Sequence, residues 1–127
     1  MTLKEFRIQY ALGSLTEGAL YLIADDITTP KEILIILSKN ESWRVKNLVA
    51  ANPKTPKGIL IELSKSGTSY IRDSILNNPN TPLEALKILS KSIDASINHS
   101  ARKRINILKR SQRKQKEQRE QREQIDS

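Results

Sequence analysis

A chain of 127 residues has room for one domain and a tail, and with only 37% hydrophobic and 4% aromatic residues a deep globular core is not expected. The absence of cysteine excludes disulfides, thiolate metal sites, cysteine nucleophiles and cysteine-held iron–sulfur clusters together. The formal charge of +8 is unevenly spread: residues 1–100 hold twelve Lys/Arg against ten Asp/Glu, whereas residues 101–127 hold ten against four, which marks a basic tail.

The first predicted helix covers residues 2–12. Leu3, Phe6 and Tyr10 recur at helical spacing, with Ile8, Ala11 and Leu12 beside them, and Gly13 is a stop. Charges scattered through Met1–Arg7 leave no apolar run of signal-peptide type. No stretch approaches the length of a membrane span, so a cytoplasmic protein without membrane contact is expected. Ser14-Leu15-Thr16-Glu17 has the form of a capping box. The helix it opens carries Ala19, Leu22 and Ile23 inward and ends near Asp25-Asp26.

From here the chain repeats. Pro30, Pro56 and Pro82 stand 26 residues apart, as do Leu37, Leu63 and Leu89, and Val45, Ile71 and Ile97. A fixed period of this size is the signature of a solenoid, whose units bury their apolar faces on their neighbours. Each unit opens on Thr-Pro, with Thr29, Thr55 and Thr81 read as N-caps and the proline at the first helical position. Glu32 and Glu84 complete capping boxes; Gly58 stands in that place in the middle unit, so its start should be weaker. Ile33/Leu34/Leu37, Ile59/Leu60/Leu63 and Ala85/Leu86/Leu89 draw one apolar stripe. Polar breaks at 40–42 and 66–68 end the first two of these helices. A short second helix follows in each unit and is stopped by Asn52-Pro53 or Asn78-Pro79, because proline disfavours the helical region for the residue before it. Two roles suit these asparagines: simple helix stops, or amides bonding into the adjacent unit as a ladder. Subtracting 26 from Val45–Ala50 lands on Ala19–Ala24, so residues 1–28 contain the worn second half of a first unit, acting as a cap.

Asn52-Pro53-Lys54-Thr55-Pro56 and Asn78-Pro79-Asn80-Thr81-Pro82, each followed by Leu-x-x-Leu-Ser and the first by a Val/Ile–basic pair (Ile71-Arg72, as in Val45-Lys46), resemble the leucine-rich repeat variant family. The resemblance spans roughly residues 19–101. It implies an all-α, right-handed superhelix of paired short helices, similar to the HEAT and armadillo solenoids. Three features depart from the family's pattern. The third unit has Arg104-Ile105 where Asn-Pro is due, the 26-residue step is longer than usual, and the cysteine cluster that can precede such repeats is absent, so no cofactor is implied. The expected organisation is a repeat domain over 1–101 (cap 1–28, units 29–54 and 55–80, a worn unit 81–104), then a basic, low-complexity tail over 102–127, helical or disordered. With no Asn-Pro to stop it, the last helix runs on from about residue 94, with Ile97, Ala101, Ile105 and Leu108 docking on the last unit.

Nothing in the chain is arranged for catalysis. Asp25-Asp26 are helix neighbours that do not face each other, and His99 has no triad or metal spacing around it. No glycine loop for phosphates is present. A non-catalytic binding module without a small-molecule substrate is therefore expected. Trp43 and Arg44, with Tyr70 and Arg72 in the next unit, are candidate protein-binding residues, since Trp, Tyr and Arg dominate hot spots; packing between units is the other role open to Trp43. The tail is the stronger hint. Arg102, Lys103, Arg104, Lys109, Arg110, Arg113, Lys114 and Lys116 run with no intervening acid, a pattern suited to the phosphates of nucleic acid. With no aromatic in the tail, such binding would follow the backbone and ignore sequence. The alternative is a protein–protein adaptor whose tail meets an acidic protein surface.

Overall fold

The computed structural model describes residues 1–66 and 68–126. The described residues are all-helical: α1 (Leu3–Ala11), α2 (Glu17–Asp25), α3 (Lys31–Leu37), α4 (Trp43–Ala51), α5 (Lys57–Ser66), α6 (Ser69–Asn77), α7 (Leu83–Leu89) and α8 (Ala95–Asp126). Seven short helices pack pairwise, and a helix of 32 residues follows. The second helices of successive units lie side by side, α2 on α4, α4 on α6 and α6 on α8, and α5 packs on α7. Within the units α3 meets α4, α5 meets α6 and α7 meets α8.

The core follows the 26-residue step. Leu34, Leu60 and Leu86 are fully buried, as are Val45 and Val49, with Leu37, Leu63, Leu89, Ile71, Ile75, Ile97 and Ala101 beside them. Phe6 is also fully buried and stacks on Tyr10 at 5.3 Å, so α1 closes the first unit. Leu22, expected inward, is exposed; Leu20 and Ala24 bury that side of α2 instead. Gly13 ends α1 in the left-handed region at φ 68°, where its N–H reaches the Tyr10 carbonyl and that of Ser14 reaches Gln9. This is a Schellman closure, which favours glycine because a Cβ is strained at positive φ.

The helix starts differ from the expected caps. Thr29, Thr55 and Thr81 do not accept from the helix ahead of them. Each hydroxyl donates backward at 2.6 Å to a carbonyl near the end of the preceding helix, from Ile23, Val49 and Ile75 respectively. Each of those carbonyls also accepts from the backbone N–H of its helix's C-cap (Asp26, Asn52 or Asn78), so the threonine hydroxyl is its second donor, and the proline after each threonine favours extended backbone there. The Pro30 and Pro82 positions are the N-caps of α3 and α7, with no side-chain cap, so Glu32 and Glu84 complete no capping box. In α2 the N-cap is Thr16, not Ser14; its oxygen accepts from Ala19 N–H, while Ser14 donates to the Gln9 carbonyl. A full capping box does occur at Thr2 and Glu5. Of the break expected at 66–68, Gly67 lies outside the described residues, and Thr68 caps α6.

The asparagines form a ladder. Asn52 Nδ2 donates to the carbonyls of Ala24 and Asp26 at 2.9 and 3.1 Å, and Asn78 Nδ2 to those of Ala50 and Asn52 at 2.8 and 3.0 Å. Their Oδ1 atoms accept from Lys54 and Asn80 N–H at 2.9 Å, shaping the turn into the next unit. Both side chains are buried, and among the described residues no buried side-chain nitrogen or oxygen lacks a partner.

Candidate functional site

The long helix α8 begins where Asp94 Oδ1 accepts from Ser96 and Ile97 N–H at 2.9 and 3.3 Å. It is continuous through the residue 101/102 boundary expected between domain and tail, with Ile97, Ala101 and Ile105 buried and Leu108 packed against the core. At about 100° per residue, these residues occupy one side of the helix. Arg102, Lys103, Lys109, Arg110, Arg113, Lys114 and Lys116 are all exposed. On the same geometry they fan over an arc of about 160° turned away from that buried side, along about 21 Å of helix.

Arg104 does not belong with them. It stands one 26-residue step after Asn78, and its guanidinium donates to the carbonyls of Leu76 and, at 3.2 Å, Asn78. It thus takes the place of the asparagine amide on the last rung of the ladder. Burial pulls its pKa below the ordinary arginine value. A guanidinium engaged with two carbonyls is a structural tie, a role for Arg104 that the basic run did not suggest.

Trp43, Arg44 and Tyr70 come together. The Trp43 and Tyr70 rings stack across adjacent units with centroids 5.3 Å apart and planes at 21°, and the Arg44 guanidinium lies over the Trp43 ring at 5.5 Å. Packing between units is the role the geometry shows for Trp43, and that contact is itself on the surface: Trp43 is 43% and Tyr70 66% exposed. Arg72 is apart from this cluster, lining a different hollow with Ser64, Lys65 and Ile93.

Tyr21 was not among the sequence-derived candidates, yet it joins Trp43, Arg44, Asn47 and Leu48 around a largely apolar hollow of about 330 Å³. Subtracting 26 from Asn47 gives Tyr21, so the period carried the signal. Glu17 ties this end together. Hydrogen bonds from Tyr21 and from Ser42, the latter at 2.8 Å, with the charge of Arg44 behind them, hold its carboxyl below the usual pKa. Among the described residues no cluster of His, Asp or Glu could hold a metal ion, and no helix is long and apolar enough to cross a membrane. Comparison of the chain with models of known families, with curated proteins and with solved structures gives no match.

Proposed function

We propose that the chain is a non-catalytic binding scaffold, a short right-handed α-solenoid of 26-residue helix pairs whose basic C-terminal helix grips the backbone of nucleic acid without reading sequence. The observation that carries this reading is the exposed arc of seven cations on α8, set opposite its buried side. Docking that buried side on the last unit leaves the charged arc free to meet a polyanion. Like charges at this density repel one another until phosphates neutralise them and release counterions. The tail carries no aromatic residue on which bases could stack, so contacts along the arc position the ligand by its backbone and do not discriminate among sequences.

The test is the salt dependence of binding for the full chain and for a variant with Lys109, Arg110, Arg113 and Lys114 changed to Gln. Arg104 is left in place because its removal would disturb the ladder. For the parent, the logarithm of affinity should fall with the logarithm of salt by ~0.7 per phosphate neutralised on single strands and ~0.9 on duplex. The variant should keep its circular dichroism and lose several units of that slope, and scrambling the nucleotide sequence should change affinity little. An unchanged slope in the variant, or binding indifferent to salt, overturns the proposal. Binding to polyglutamate and not to DNA would replace it with the adaptor reading.

A further inference from the structure

We infer that the ligand is single-stranded nucleic acid, its bases stacking on the Trp43–Tyr70 pair while its phosphates follow the basic face of α8. The inference rests on the nucleic-acid reading above and adds the ligand class to it.

The first support is the ring pair itself. Two rings already stacked, with centroids 5.3 Å apart and planes at 21°, are the beginning of a stack, and the 66% exposure of Tyr70 leaves aromatic surface in water to which a base can add as the next layer. Every base has a π-face, so such a platform tolerates any sequence, as the backbone-directed tail requires. In a duplex the faces are already covered by neighbouring base pairs, so only a strand with free bases can use both the rings and the cations.

The second support is register. One 26-residue step after Tyr70, Asp73 and Asn77 on α6 come Ser96, His99 and Lys103 on α8, all exposed. Because α6 packs directly on α8, the side of α6 that carries Tyr70 continues onto the side of α8 that carries Lys103. Arg110 and Lys114 follow Lys103 at seven and eleven residues, two and three turns further along that same side. The rings and the cations therefore share one side of the molecule, with neighbouring helix axes about 8–10 Å apart.

The third support is charge. Arg44 places a cation beside the stack, over the face of Trp43. Asp73, exposed one turn beyond Tyr70, is an acid on the path from the rings to Lys103, and it gives the inference a signed test.

Trp43 is the only tryptophan, so its fluorescence reports on the stack directly. The full chain is titrated with oligothymidylate about twenty nucleotides long, a mixed-sequence duplex of equal length, and heparin, each at several salt concentrations. Oligothymidylate should quench Trp43 and bind about tenfold tighter than the duplex, whereas heparin should bind without that quench. Tyr70→Ala should weaken oligothymidylate binding roughly ten- to a hundredfold with the salt slope unchanged, and Tyr70→Phe should restore it. Asp73→Asn should tighten binding a few-fold. The exposure of Tyr70 makes its loss tolerable to the fold, and a thermal melt of each variant verifies this. The inference is overturned, with the nucleic-acid reading left standing, if oligothymidylate binds in a salt-dependent way without quenching. Equal affinity of Tyr70→Ala and parent, or of duplex and single strand, overturns it likewise. If neither nucleic acid binds, both readings fall, whatever polyglutamate or heparin does.

Discussion

Asn52 and Asn78 each do two things with one amide: Nδ2 bridges two carbonyls of the unit before, and Oδ1 shapes the turn into the unit after. At the two ends of the repeat the tasks separate. Asp26 stands one step before Asn52 and keeps only the acceptor half, its Oδ1 accepting from Thr28 N–H at 2.8 Å and from the Thr28 hydroxyl at 2.7 Å. Arg104 stands one step after Asn78 and keeps only the donor half. The step of 26 made these positions visible in the sequence. It did not reveal what Arg104 does, because an arginine inside a basic run looks like every other cation there, and only the carbonyls of α6 distinguish it. The Thr28 contacts favour the charged form of Asp26 and hold its pKa below the ordinary value. For a carboxyl lowered in the fold, the linked stability is present above the unfolded-state pKa and is lost as pH falls through the folded one. Glu17, lowered by Tyr21 and Ser42, acts in the same direction. The melting temperature should therefore hold steady on acidification until the carboxylate range near pH ~4 and then drop. Asp26→Asn retains the acceptor oxygen, so it should melt close to the parent at neutral pH and show a shallower acid drop. An equally steep drop in that variant would remove Asp26 from the account.

At the scale of elements, the stripe Ile33/Leu34/Leu37 and its copies announced the helices, but not how they begin. Threonine before proline is compatible with an N-cap and equally with a side chain folded back on the helix it follows. The choice is made by burial: Thr55 and Thr81 sit at 0% and 5% exposure, where a hydroxyl must find an acceptor, and the Val49 and Ile75 carbonyls take it as a second hydrogen bond. This changes what Gly58 means. It does not mark a missing half of a capping box, since α3 and α7 make none. It is a glycine in the first turn of α5 at which an added Cβ would meet nothing within 4 Å. Gly58→Ala should accordingly stabilise the protein by up to ~1 kcal/mol, through the backbone entropy that glycine loses in a helix. Denaturant unfolding reads this as a higher midpoint at unchanged slope. A loss of stability would mean that α5 needs glycine for a reason other than its start.

For the molecule as a whole, the end of α8 that packs and the end that projects behave as different materials although one helix contains both. The stripe Ile97, Ala101, Ile105 and Leu108 was legible at four-, four- and three-residue steps, as was a last helix running on from about residue 94, and the boundary that composition drew after residue 101 falls inside that unbroken helix. Composition changes where the charge begins; packing ends where the apolar stripe does, several residues later. The cover α8 provides is good, since Leu89 under it is 1% exposed, against 6% for Leu63 in the middle unit. Shortening the chain therefore has a sharp threshold. A chain ending at Ser111 keeps Ile105, Leu108 and the Arg104 rung, and should melt within a few degrees of the parent while losing the share of the salt slope that Arg113, Lys114 and Lys116 supply, three of the seven arc cations. A chain ending at Ser100 loses the burial of Ile105, worth ~1.5–3 kcal/mol, and the charged hydrogen bonds of Arg104, worth ~1.5–3 kcal/mol more. That is a large share of the stability of a small domain, so the shorter chain should melt far lower or not fold. Thermal melts of the two chains separate the cases. If both melt like the parent, α8 from Ala101 onward contributes nothing to the stability of the fold, and the ladder ends at Asn78.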